Sequence, residues 1–250
     1  QDLFVVNGTR FHDQPAEGRN RLFRNVPGFD GEARRFHEVT DHAGVGDVGW
    51  GMGCAVGDYD NDGDVDVLVT NWGPDRLYHN TGDGTFQEEA VDVGVADSGW
   101  GSSAAFGDLD ADGYLDLYVT RYLEFDLADP PGGGDKCDYK GLDVFCGPAW
   151  VPRQPDRLFR NQGGDAFVDV STATGVDRYR LPALGVTFTD YDDDGDLDIY
   201  VANDSEPNLL FKNDGAWEFS EVAGPLGASH TEDGSPQAGM GVHSGDYDND

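Results

Sequence analysis

Residues 58–66 read DYDNDGDVD, and the same nine-position pattern, D-x-D-x-D-G-x-x-D, returns as DLDADGYLD at residues 108–116 and as DYDDDGDLD at residues 190–198. A fourth copy, DYDND, opens at residues 246–250. Four or five carboxylates within nine residues repel one another unless a cation sits among them, and an all-oxygen donor set selects a hard ion such as Ca2+. The expected ligands are side-chain carboxylates at positions 1, 3, 5 and 9 and the backbone carbonyl at position 7. In the first loop these are Asp58, Asp60, Asp62, Asp64 and Asp66. In the second they are Asp108, Asp110, Asp112, Tyr114 and Asp116, where the tyrosine shows why only a carbonyl is expected of position 7. The third has Asp190, Asp192, Asp194, Asp196 and Asp198, and Asp246, Asp248 and Asp250 begin the fourth. Glycine at position 6 permits the sharp turn. The apolar residue at position 8 (Val65, Leu115, Leu197) is expected to anchor the next strand. An EF-hand needs a bidentate Glu at position 12 and a following helix. Position 12 here is Val69, Val119 or Val201, inside a strand-patterned run.

The loops also measure the chain. Their first residues fall at 58, 108, 190 and 246, so the steps are 50, 82 and 56 residues. The long step is a repeat carrying an insert, placed at residues 121–155. After each complete loop comes a run of strand character (VDVLVTN, LDLYVTR, LDIYVAN), then a second shared element, DRLYHNTGDGTF, DRLFRNQGGDAF or NLLFKNDGAWEF, which NRLFRN at Asn20 also matches. With the Gly-rich run before each loop, one repeat has four short strands, the pattern of a β-propeller blade. The predicted fold is all-β, with a back half-blade at 20–45, whole blades at 46–95, 96–175 and 176–225, and the start of another at 236–250. Residues 1–250 are read as one propeller fragment. Propellers have roughly four to eight blades, so the intact protein is expected to extend further.

A formal net charge of −33 on 250 residues leaves no cationic face for nucleic acid or an anionic membrane. No apolar run approaches the roughly 18 residues that span a bilayer. Hydrophobic residues at 38% and aromatics at 12% nevertheless suffice for a packed core. The chain opens at Gln1 without a cationic, apolar leader, the pattern of a mature or trimmed segment. Cys137 and Cys146 lie within the Pro- and Gly-rich insert, where a disulfide is expected; loop closure of that size is worth roughly 2.7 kcal/mol. Two separate thiols are the alternative, and zinc lacks further ligands nearby. A bridge would place the protein in an oxidising space. Cys54 reads as a small buried residue, Trp50 and Trp100 as packing anchors, and His79 and His243 as structural or exposed.

The loops, with the Gly-rich run before them and L-[YF]-x-N after them, resemble the FG-GAP (VCBS-type) repeats of integrin α-subunit propellers. More narrowly, GWGMGCAVGDYDNDGDVDVLVTN, CDYKGLDVFCGP, VANDSEPNLLFKN and QAGMGVHSGDYDND are similar to bacterial relatives of cartilage acidic protein, the ASPIC and UnbV group. The resemblance covers nearly everything from Asn20 onward. It implies a secreted or surface propeller, seven-bladed when intact, with Ca2+ in the hairpin between a blade's first two strands. The turns NQGGDAF and NDGAWEF depart from the family's N-x-G-D-G-T-F. The resulting expectation is a non-catalytic, calcium-stabilised module that binds an extracellular protein or glycan, with the insert as the contact region. An enzyme built on the same scaffold (hydrolase, lyase or cyclase) is the alternative, because fold alone does not fix function. One module of a longer structural array is a third.

Overall fold

The structure is a computed structural model describing residues 1–8, 16–28, 33–129, 136–145 and 147–245. It is all-β, a partial propeller. The first sheet joins β1 (Leu3–Val5), β2 (Arg21–Val26) and β3 (Arg35–Glu38). Blade one follows with β4 (Trp50–Gly57), β5 (Asp66–Pro74), β6 (Arg76–Asn80) and β7 (Phe86–Glu88), each antiparallel to the next. Blade two consists of β8 (Ser98–Gly107), β9 (Asp116–Arg121), then, beyond the insert hairpin of β10 (Lys136–Tyr139) and β11 (Leu142–Phe145), β12 (Arg157–Asn161) and β13 (Phe167–Asp169). Blade three has β14 (Ala183–Thr189), β15 (Asp198–Glu206), β16 (Leu209–Asn213) and β17 (Phe219–Glu221). A final strand, β18 (Gln237–Ala238), pairs with the far end of β15. The start of β8 pairs in the same way with the end of β5, aligning Trp72 with Trp100. Trp50 is opposite Trp72 on the other side, so three indoles stand in line across the strands.

The core lies between blades. Leu68 and Leu77 of blade one meet Leu117, Val119, Phe159 and Phe167 of blade two, while Tyr118 and Leu158 face Ile199, Val201 and Phe211 of blade three. Val67 and Val69 point the opposite way, toward Phe4, Val6 and Leu22 of the first sheet. Each second strand is therefore buried on both faces, which explains the unbroken apolar runs DVLV, DLYV and DIYV where a half-exposed strand would alternate with polar residues. Burying such a side chain is worth about 1.5–3 kcal/mol.

A short helical turn follows each fourth strand: α1 (Thr40–Ala43), α2 (Ser171–Thr174) and α3 (Ala223–Leu226), each ended by a left-handed glycine (Gly44, Gly175, Gly227). Residues 90–94 make the equivalent turn, with Gly94 at φ +87°. The free carbonyls of so short a helix are taken up by the glycine N–H, as Gly44 N–H donating to Thr40 O shows.

Two expectations fail. Cys54 is exposed, beside Met52 and Val56 on β4. In β8 the corresponding Ala104 and Phe106 pack into the core between blades one and two, but among the described residues the three-stranded first sheet offers β4 no such neighbour. Position 8 anchors the following strand in two loops and fails in the first: Leu115 and Leu197 pack back against Gly57 and Gly107 of the preceding blade, Leu197 within the core between blades two and three, whereas Val65 is 51% exposed. Cys137 lies in β10, but Cys146 is outside the described residues.

Candidate metal loops

The three complete loops are hairpin connections between a blade's first and second strands, and they fold by the same hydrogen bonds. Position 1 accepts from the backbone N–H groups at positions 5 and 6: Asp58 from Asp62 and Gly63, Asp108 from Asp112 and Gly113, Asp190 from Asp194 and Gly195, at 2.9–3.2 Å. Position 5 accepts from the N–H of position 7. The backbone is left-handed at position 4 (Asn61, Ala111, Asp193, φ 55–60°) and again at Gly63, Gly113 and Gly195 (φ 94–96°). A Cβ at those glycines would meet nothing within 4 Å, so backbone angle and not space requires glycine there.

The closing aspartate is the loop's root. Asp66 accepts from Tyr59 N–H at 3.1 Å and from Asn80 N–H of the third strand at 2.8 Å. Asp116 has the same two partners in Leu109 and Asn161, and Asp198 has Tyr191 and Asn213. Asp2 accepts from Asn25 N–H at 2.8 Å and so stands to β2 as Asp66 stands to β6. Burial, offset only in part by these donors, pushes Asp66 up to about 6 and Asp116 up to about 7, and moves Asp198 in the same direction.

Carboxylate oxygens of Asp58, Asp60 and Asp66 converge within 4.8 Å of one another, as do those of Asp108, Asp110 and Asp116, and those of Asp190, Asp192 and Asp194. Asp62 joins Asp60 and His79 instead. The Asp64 carboxylate turns toward Gly82 in the β6–β7 turn, which leaves its carbonyl as the donor expected of position 7. Asp246, Asp248 and Asp250 lie outside the described residues. The aspartates fit a hard cation: apart from His79 beside loop one every donor is oxygen, and Asp110 Oδ1 is buried with no hydrogen-bond partner.

The third strand adds a basic group to each of these loops. The residue between the aromatic and the Asn of L-[YF]-x-N is basic in every blade and reaches its own blade's loop. His79 Nδ1 lies 3.2 Å from Asp60 and 3.4 Å from Asp66. Arg160 Nη2 lies 2.7 Å from Asp110 and stacks over the Trp217 ring at 5.4 Å. Lys212 pairs with Asp192 and with Asp194 at 2.9 Å, and its hydrogen bond holds Asp194 below the usual carboxylate range. The spacing of a basic residue before each Asn was the available signal.

At the other end of the second strands a different polar arrangement closes the connection to the third. Asn71 N–H donates to Asp75, and its side-chain amide donates to Pro74 O. Asn203 makes the matching pair with Asn208 and Pro207 O, and Asn7 with Asn20 and Arg19 O. Blade two has Arg121 at this position. Its N–H still donates to the equivalent residue, Asp156, at 2.7 Å, but its guanidinium, 2% exposed, crosses to Asp75 at 2.9 Å and Asp97 at 3.1 Å, which belong to blade one and the link from it. Burial works against Asp97, yet Arg157 and Arg121 together hold its carboxyl below the usual range.

Comparison with known proteins agrees with this architecture. The FG-GAP-like repeat model matches residues 1–69, 58–119 and 190–250. Cartilage acidic protein 1 of Xenopus tropicalis is 34% identical over 84 residues, covering 32% of this chain and 12% of that protein. The Mus musculus protein is 32% identical over 111 residues, covering 43% and 16%, and the Homo sapiens protein 31% identical over 111 residues, covering 43% and 15%. The matched segments thus span less than a fifth of these relatives. A solved lectin of Agrocybe aegerita, described as recognising non-reducing terminal N-acetylglucosamine, covers 88% of this chain and 79% of its own at 13% identity, with a TM-score of 0.27, too low to bear on ligand choice. Because the repeat model accounts for more than half of the residues, the chain belongs to the FG-GAP-like repeat family.

Proposed function

We propose that the chain is part of an extracellular, calcium-stabilised β-propeller that serves as a rigid binding module for a protein or glycan. The observation that carries this reading is the threefold recurrence of one loop geometry, in each copy of which three aspartate carboxylates converge. Asp58, Asp60, Asp62 and Asp66, with the carbonyl of Asp64, would hold one ion; Asp108, Asp110, Asp112, Asp116 and the Tyr114 carbonyl a second; Asp190, Asp192, Asp194, Asp198 and the Asp196 carbonyl a third. Bound Ca2+ supplies charge neutralisation and fixes the hairpin. His79, Arg160 and Lys212 would turn outward from the carboxylates as the ion enters. The extracellular setting rests on the kinship with cartilage acidic protein 1 and on the strongly acidic surface. No helix among the described residues is long and apolar enough to cross a membrane.

For recognition, the insert is the region offered. Its hairpin exposes Leu142 and Val144, and Trp150 is 84% exposed, the most exposed large apolar side chain among the described residues. Insertions on rigid scaffolds commonly carry binding.

Thermal unfolding in calcium and in excess chelator tests the structural role of the ion. A ligand at a hundredfold excess over Kd adds about 2.7 kcal/mol per site. For a domain of this size chelation should lower Tm by roughly 5–10 °C for each loop emptied. Superimposable melting curves would remove calcium from the account of this fold.

A further inference from the structure

The loops of neighbouring blades touch. Asn161 Nδ2 donates to Leu115 O in its own blade's loop at 2.9 Å and to Tyr59 O in the loop of blade one at 2.8 Å. Asn213 repeats the bridge one blade on, donating to Leu197 O at 3.2 Å and to Leu109 O at 2.8 Å. Both asparagines are 1% exposed. A second link joins the first two loops directly: Asn61 Nδ2 donates to Gly113 O at 2.8 Å. The turns after β12 and β16 also cover the previous blade's loop. Gly164, at φ +90°, comes so close that a Cβ there would lie 3.0 Å from Asp60 Cα. Trp217 Nε1 donates to Asp110 Oδ2 at 2.9 Å. Positions 2 and 3 of a loop are thus held by the following blade, and position 4 of loop one holds position 6 of loop two.

We propose that loops one and two are a thermodynamically coupled pair, in which an ion in the first raises the affinity of the second through Asn161 and Asn61. The inference rests on the calcium reading above. An ion at Asp58, Asp60 and Asp66 fixes the backbone of Tyr59 and Asn61. That in turn fixes the Asn161 amide against Leu115 O and the Asn61 amide against Gly113 O, so part of the ordering of loop two is complete before its own ion arrives. Linkage requires the converse as well, with loop two raising the affinity of loop one by the same factor. The coupling acts through a neutral amide bridge and not through the ions' charges, which repel.

Trp217 makes the test specific. The other indoles are at the far rim (Trp50, Trp72, Trp100) or in the insert (Trp150), so terbium luminescence sensitised through tryptophan reports loop two. Terbium would be titrated into the whole chain, into Asp58→Asn/Asp60→Asn, and into each of these backgrounds carrying Asn61→Gly. Glycine retains the φ of 60° at this exposed position and removes only the amide. Emptying loop one should weaken terbium binding at loop two by about fivefold or more, the ordinary lower bound for coupled sites. Asn61→Gly alone, with every carboxylate present, should reduce the steepness of the parent titration and shrink that fivefold difference. A loop-two midpoint indifferent to loop one overturns the coupling and leaves the calcium reading standing. A difference undiminished by Asn61→Gly overturns the Asn61 link. No luminescence in the parent chain overturns both readings.

Discussion

The two ends of the second strands are built by opposite rules. At one end three nine-residue loops adopt the same backbone hydrogen bonds, the same left-handed positions and the same closing aspartate, although position 7 changes from Asp to Tyr. At the other end, the connection to the third strand is one residue in blade one (Asp75), two in blade three (Pro207 and Asn208) and a long insert in blade two. The acidic end is held through groups that all lie within the repeat or touch the next one, so a change in length would break several bonds at once. The opposite end needs a single clamp, the Asn amide over a tight turn. Where the turn is replaced by an insert, the amide has no carbonyl to reach, and Arg121 in its place ties the strand to the preceding blade instead. Variation is tolerated where one side chain can be exchanged for another solution.

Removing that solution should have the largest effect. Arg121→Met leaves Asp75, 1% exposed, and Asp97 without the guanidinium between them. Breaking a buried pair from one side costs about 3–5 kcal/mol, measurable as a fall in urea midpoint. The comparison becomes sharper with Asp75→Asn added. Asn20 and Asn208 occupy the same site in the other repeats, so the second change should restore a large part of the loss. No recovery in the double variant would mean that Arg121 acts through packing and not as the counterpart of a buried charge.

The repeating architecture was legible because its signal is local: nine residues of acidic loop, a strand, and L-[YF]-x-N at fixed offsets. The interaction that matters most at the far rim was not. Arg121 differs from Asn71 and Asn203 by one letter in VTR, VTN and VAN, and its partners lie 46 and 24 residues upstream. The exposure of Cys54 and Val65 was hidden for a related reason. Both follow apolar patterns, but in a propeller the opposing face belongs to another blade, so burial depends on a neighbour and not on the strand's own sequence. His79 looked like an isolated histidine until the third strand brought it beside Asp60.

A smaller effect separates the second and third blades by pH. Asp156 is 3% exposed, accepts from Arg121 N–H and from Tyr118 Oη–H, and is pushed up to about 7 by burial. Blade three has Asn208 in the same place, accepting from Asn203 N–H and bonded to Tyr200 Oη. As pH rises above the unfolded carboxyl value of about 3.9, the unfolded chain releases this proton while the native state retains it. The stability difference therefore falls with rising pH until about 7 and is constant above. Asp156→Asn cannot ionise. The loss of stability between pH 5 and pH 8 should shrink by on the order of 2 kcal/mol in the variant, read from unfolding curves at the two pH values. An unchanged pH slope would show that Arg121 already compensates the carboxylate.

The smallest expected effect on folding belongs to the most exposed part of the far rim. The insert is pinned at its roots: Gln154 Oε1 accepts from Trp100 N–H, Tyr122 Oη–H donates to Asp204, and Arg153 pairs with Glu206. Tyr122 and Phe125 also stack edge-on against Trp100, at 5.3 and 5.8 Å. Trp150, at 84% exposure, contributes almost no burial, so Trp150→Ala should change stability by no more than about 0.5 kcal/mol. If the far rim is where partners bind, the same substitution should weaken binding by about 2 kcal/mol or more, because exposed tryptophans that become buried on association dominate interface energetics. The measurement is a glycan and matrix-protein array probed with the parent chain, followed by affinity determination of each hit with the variant. Hits retained at full strength by Trp150→Ala, but lost when the acidic loops are emptied by chelator below the melting range, would move recognition to the opposite end. In that case the invariant rim would be both the fastening and the contact surface, and the insert an ornament of the fold.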